Sequence, residues 1–131
     1  MAIIEEAYVS FETAKLLKDK GFNQNCATYY LDGHVWRHYH GEVIPKGKQI
    51  YAAPTQQMAM RWLREVHKIH IQALCPVIDV DCDITGVTYN VVISNLRNCC
   101  ISFDTSIENV EYDSYEEAVE AAIKYCLENL I

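Results

Sequence analysis

Three histidines, His34, His38 and His40, follow one another at i, i+4 and i+6. On an extended strand, where side chains alternate, this spacing puts all three on one face, with His38 and His40 about 7 Å apart at Cα. Imidazoles so placed could converge on one metal ion, although a zinc site needs three or four fixed ligands and no further ligand is indicated nearby. Trp36 shares that face, so a mixed exposed surface is the competing reading. A second group, Asp79, Asp81 and Asp83, alternates in DVDCD. Carboxylates on one strand face repel one another and could favour a divalent cation. A calcium loop of the EF-hand type wants glycine at its sixth position and glutamate at its twelfth. Counting from Asp79, those positions hold Ile84 and Asn90, so the segment reads as a solvated strand end approaching a turn.

The cysteines are Cys26, Cys75, Cys82, Cys99, Cys100 and Cys126, with no C-x-x-C among them. Read as strand neighbours, Cys99 and Cys100 point to opposite faces and do not share an ion. Cys126 falls on the apolar stripe of the last helix, where a reduced thiol behaves as a small hydrophobe. A thiol–imidazole pair for nucleophilic catalysis would have to be Cys75 or Cys82 with His67 or His70, brought together by the fold. There is no G-x-S-x-G, P-loop, G-x-G-x-x-G or H-E-x-x-H, and five glycines leave little material for a phosphate-cradling loop. The expectation is therefore no catalytic residue and no cofactor, with His34, His38 and His40 as the candidate metal ligands. Aromatic residues instead crowd one hairpin. Tyr29, Tyr30, Trp36 and Tyr39 are the candidate binding surface, because aromatic side chains are enriched at interface hot spots. The competing reading has their rings packed on the domain and their hydroxyls in water.

The elements that must position these groups follow from local pattern. Ser10 is an N-cap and Gly21 a left-handed C′ residue, which predicts a helix over 11–20 with Phe11, Ala14, Leu16 and Leu17 inward and Glu12, Lys15 and Lys18 outward. Asp32-Gly33 is a type I′ turn signal and pairs Leu31 with His34, Tyr30 with Val35 and Tyr29 with Trp36. A short strand is expected near Gln49–Tyr51. Pro54 and Thr55 open a second helix over 55–67. Its apolar recurrence is Ala59, Trp62, Leu63, Val66 and His70, with Gln56, Gln57, Arg61, Arg64, Glu65 and Lys68 on the other face. Strands follow at 69–80, 87–95 and 99–104, the first interrupted by Pro76. Ser114 and Glu117 form a capping box. The last helix buries Tyr115, Ala118, Val119, Ala122, Ile123, Cys126, Leu127 and Leu130 and exposes Glu116, Glu117, Glu120, Lys124 and Glu128. The order is α-β-β-(β)-α-β-β-β-α, an α+β class with antiparallel sheet and three helices, since no βαβα rhythm appears. Residues 1–131 are expected to form one domain, and no linker composition divides them.

The blocks A-P-T at 53–55, W-L-R-E at 62–65 and H-x-I-H-I at 67–71 lie within a longer stretch, 51–71, which together with 9–22 and 113–128 resembles a group of small uncharacterised proteins common among phage- and prophage-derived genes of gut bacteria. The resemblance covers under half of the chain. It implies an origin in mobile DNA and no catalytic residues.

Eighteen acidic and eleven basic residues give 131 residues a net charge of −7. That charge argues against general nucleic-acid binding, which relies on cations displacing phosphate counterions, and against docking on an anionic membrane. No signal peptide pattern or ~20-residue apolar run is present, so a cytoplasmic, non-membrane protein with reduced cysteines is expected. The expected function is a non-enzymatic module that binds a protein partner or itself as a homo-oligomer. One alternative is a nucleic-acid-binding unit, since 55–128 has the α-β-β-β-α order of double-stranded-RNA-binding domains, or an acidic nucleic-acid mimic. Another is a metal or thiol enzyme built on the histidines or cysteines above.

Overall fold

The computed structural model describes residues 4–36, 49–75, 88–105 and 110–131. Three helices, α1 (Phe11–Asp19), α2 (Gln56–Val66) and α3 (Tyr115–Asn129), accompany six strands. The strands are β1 (Tyr29–Leu31), β2 (His34–Trp36), β3 (Ile50–Ala52), β4 (Ile69–Leu74), β5 (Asn90–Asn95) and β6 (Cys100–Asp104). They form two antiparallel three-stranded sheets, ordered β2-β1-β3 and β4-β5-β6. The chain is thus α+β.

Each helix starts at a hydroxyl cap. Ser10 Oγ accepts from Thr13 N–H, Thr55 Oγ1 from Met58 N–H and Ser114 Oγ from Glu117 N–H, at 3.2, 3.1 and 3.1 Å. These bonds satisfy orphan donors of the first turn. At the other end of α1, Gly21 takes φ +94°, and the Phe22 N–H reaches back to Leu17 O at 2.9 Å. The type I′ hairpin forms in the expected register, with Asp32 and Gly33 both at positive φ and Tyr29 opposite Trp36.

The β4-β5-β6 sheet carries α2 and α3 on one face. Ile69, Ile71, Val91 and Ile93 point inward at alternate positions and meet Ala59, Trp62 and Leu63 of α2 and Val119, Ala122, Ile123, Cys126 and Leu127 of α3. Fully burying a side chain such as Ile93 or Leu127 contributes about 1.5–3 kcal/mol relative to exposure. Phe103 of β6 stacks on Tyr125 of α3, with centroids 4.1 Å apart. A bulge between Ile93 and Ser94 shifts the β5–β6 register. Helix α1 packs on α3 and on β3. The small sheet closes over it: Phe11 makes edge-on contacts with Tyr30 and Tyr51, at 5.5 and 5.7 Å.

Four expectations need correction. Val66 was placed with the core but is 52% exposed, because α2 ends there and the chain turns away through Lys68 at φ +58°. His70, the last member of the same recurrence, lies on β4 and points to the sheet face opposite the buried Ile69 and Ile71. Gln56 was placed outward but is buried. Cys99 was placed on a strand but lies in the turn before β6, at φ +57°. The segments around Pro76 and 84–86 lie outside the described residues.

Candidate functional site

The first turn of α2 is anchored by the N-terminal arm. Tyr8 bridges Thr55, Val9 N–H donates to Pro54 O at 3.1 Å, and Gln56 N–H donates to Ala7 O at 2.8 Å. The capping of α2 by Thr55 then fixes the direction in which Met58, Trp62 and Val66, spaced at i, i+4 and i+8, leave the helix. Trp62 is held edge-on between Phe22, at 5.3 Å, and His67, at 4.6 Å, and is 6% exposed. Met58 and Val66 stand on either side of it at 41% and 52% exposure.

Two clefts meet at Met58. One, of about 200 Å³, is lined by Tyr8, Cys26, Thr28, Ala53, Pro54 and Met58 among others and is mostly apolar. The other, of about 260 Å³, is lined by Gln24, Met58, Arg61, Trp62, Glu65 and Val66. The second forms a groove along α2, with the Trp62 indole in its lining, the flexible Met58 thioether at the end it shares with the first cleft, and Arg61 and Glu65 on its rim. The rim charges are partnered: Arg61 Nε lies 3.0 Å from Glu65 Oε1. Trp and Arg are the residues most enriched at binding hot spots, and Met suits surfaces that must adapt to an occupant.

The predicted aromatic surface divides. Adjacent strand residues face opposite ways, so Tyr29 and Tyr30 do not act together. Tyr30 packs on Phe11 and donates its hydroxyl to Val9 O at 2.7 Å. Burial, with the Glu120 carboxylate nearby, pushes the Tyr30 phenol above its ordinary range. Tyr30 therefore belongs to the structural packing. Tyr29 accepts from Cys26 N–H at 3.4 Å and lines a separate cleft with Phe22, Lys18 and Ile50. Tyr39 and the side chain of Trp36 lie outside the described residues.

His34 is exposed, while His38 and His40 lie outside the described residues, as do Asp79, Asp81, Asp83 and Cys82. Among the described residues, no group of three or more His, Cys, Asp or Glu side chains is placed to hold a metal ion. Cys75 is exposed at the end of β4. His67 lies at the other end of that strand, and its ring is turned onto Trp62. That geometry does not bring Cys75 and His67 together. Burial, and secondarily Arg97, hold the His67 imidazole below its ordinary pKa.

Sequence reading missed a polar cluster that fixes the three helices. Glu120 Oε1 accepts from Thr13 Oγ1 at 2.6 Å and Ser10 N–H at 2.9 Å, and its Oε2 accepts from Gln56 Nε2 at 3.3 Å. Gln56 Nε2 also donates to Glu116 O at 3.0 Å. A carboxylate at the N-terminus of α1 is favoured by the helix dipole. The one available signal was Thr13, a polar residue four positions before the buried Leu17 on α1. No helix of the described residues is long and apolar enough to cross a membrane. No protein-family model, curated protein or solved structure matches the chain.

Proposed function

We propose that the chain is a non-catalytic protein-binding module whose groove along α2 receives a short apolar segment of a partner. The observation that carries this reading is the arrangement of Met58 and Val66, both exposed, around the held indole of Trp62. A water-exposed methionine and valine beside a rigid aromatic floor gain by burial against a partner, at about 25 cal/mol for each Å² of apolar surface covered. The net charge of −7 selects a partner segment with basic flanks, since complementary charge steers encounter and like charge repels. The same self-repulsion disfavours a homo-oligomer. An origin in mobile DNA, as the blocks at 53–55, 62–65 and 67–71 imply, is compatible with a small adaptor that acts on other proteins.

The half from α2 to α3 shares the element order of double-stranded-RNA-binding domains, with both helices on one sheet face. Such domains are analogous at the level of fold only. Here the final helix opens Tyr115-Glu116-Glu117, with both carboxylates exposed, which repels phosphate. Protein binding is therefore the preferred reading. Substituting Met58→Glu and Val66→Glu places charge in the groove without touching the core. Both variants are expected to fold as the parent does and to lose binding to peptides selected against it. Retention of that binding overturns the proposal.

A further inference from the structure

The imidazole of His67 touches the aromatic member of the groove lining without lining the groove itself. Its backbone is fixed, since His67 caps the C-terminus of α2 and its N–H donates to Leu63 O at 3.1 Å. Its ring lies edge-on to the indole of Trp62, with centroids 4.6 Å apart, and Phe22 makes a second edge-on contact with that indole at 5.3 Å. Trp62 lines the groove together with Met58 and Val66.

The Nε2 atom of His67 is shielded from solvent and, among the described residues, has no hydrogen-bond partner. The neutral ring bears this at modest cost, because Nδ1 can carry its single proton and leave Nε2 a bare lone pair. The protonated ring carries N–H on both nitrogens. Nε2–H is then a charged donor out of water with nothing to accept from it. The surrounding charges give no relief. Arg97 of the β5–β6 turn acts on the ring with like charge. Lys68, next in the chain, directs its ammonium to Glu65 O at 2.9 Å, and the Glu65 carboxylate is taken by Arg61 at 3.0 Å. Phe22, from the segment after α1, is uncharged. Burial, and after it Arg97, hold the imidazole below its ordinary pKa. The residue as a whole is only partly buried, so rotation about its side-chain torsions carries Nε2 into water while the backbone stays in place.

We propose that His67 is a proton-operated catch on the groove: taking up a proton turns its ring away from Trp62, loosens the indole in the groove lining and releases the partner segment, a regulation that rests on the groove's being a binding surface. Protonation of one histidine is enough to bias such a packing contact. The partner segment binds the chain with His67 neutral. Affinity is therefore full above the pKa of the free folded chain and falls as pH drops through it, by at most about tenfold per pH unit for one proton.

Two measurements on the full chain test this, and the first needs no partner. Trp36→Phe leaves Trp62 as the single tryptophan. Acrylamide quenching of its fluorescence is expected to rise as pH falls from about 7.5 to about 5.5. Peptides selected against the chain at the upper pH are expected to bind it several-fold more weakly at the lower. Both responses should vanish in His67→Phe and in His67→Gln, neither of which titrates, and persist in His70→Gln, on the opposite sheet face. Circular dichroism should stay constant across the range. The proposal is overturned if quenching does not rise, if it rises only in step with loss of circular dichroism, if peptides bind as tightly or more tightly at the lower pH, or if the His67 variants respond as the parent does. A chain that shows the quenching response and yet selects no peptide at the upper pH contradicts the reading of the groove, not the movement of His67.

Discussion

The carboxylate of Glu120 on α3 accepts a hydrogen bond of 2.6 Å from the hydroxyl of Thr13 on α1, a residue with no exposure to solvent. The same carboxylate takes the Ser10 N–H and the Gln56 side chain. One acidic group thereby joins the starts of α1 and α2 to the middle of α3. Replacing it with alanine leaves the Thr13 hydroxyl and the Ser10 N–H without their acceptor and takes from the Gln56 amide one of its two, the Glu116 carbonyl remaining. The expected cost is about 2–3 kcal/mol, since bonds to charged groups contribute more than neutral ones and a buried orphan donor is penalised. Urea denaturation of Glu120→Ala checks this. A change below about 0.5 kcal/mol, the scatter of surface substitutions, contradicts the structural role.

Besides Asp32 of the hairpin turn, two non-glycine residues among the described residues occupy left-handed backbone, Lys68 after α2 and Cys99 before β6. Lys68→Gly and Cys99→Gly are each expected to stabilise the fold by about 0.5–1 kcal/mol, because relief of the Cβ clash exceeds the entropy glycine adds to the unfolded chain. The midpoint of thermal unfolding should rise in both.

His67 gives the fold a pH dependence. Burial against Trp62, with Arg97 adding to it, holds its pKa below the ordinary 6.5 in the folded chain. The unfolded chain therefore binds more protons on this group than the folded chain just below pH 6.5. Stability from His67 is complete above the unfolded value and is lost as pH falls through it towards the lowered folded value. Denaturation midpoints measured between about pH 5 and 7 should decline on acidification. His67→Phe, which keeps an aromatic ring against Trp62, should flatten that slope. An equal slope in the variant assigns the effect to other groups.

The thiols should differ sharply in reactivity. Cys126 lies in the core of α3, and desolvation pushes its thiol up to about 12. Cys26 is raised by partial burial, whereas Cys75, Cys99 and Cys100 are exposed. Because the thiolate is the nucleophile, brief alkylation at neutral pH followed by peptide mass mapping should label the exposed three first. Cys126 should remain unlabelled until denaturant is added. Early labelling of Cys126 contradicts its placement in the core.

Local patterns were legible in the sequence wherever the backbone itself dictates them. Asp32-Gly33 specifies its hairpin and register because only such residues accept two consecutive positive φ values. Ser10, Thr55 and Ser114 mark helix starts because their hydroxyls replace missing acceptors. What depends on packing between distant elements was hidden. Glu120 flanks an apolar stripe on α3, and nothing in its neighbourhood announces that Thr13 and Gln56 converge on it. The groove along α2 was hidden for the same reason. Val66 continues the apolar recurrence of α2, but the helix ends there and Lys68 redirects the chain, so the residue meets solvent. The aromatic hairpin signalled a surface, yet strand alternation sends Tyr30 onto Phe11 and its hydroxyl to Val9.

The central claim is that the groove around Trp62 binds a partner segment. Selection from a displayed library of random short peptides, using the folded chain as bait, tests it most directly. The account predicts enriched peptides that combine bulky apolar residues with lysine or arginine, and loss of their binding in Met58→Glu and Val66→Glu. Failure to enrich any sequence, or enriched peptides that bind both glutamate variants as well as the parent, contradicts it.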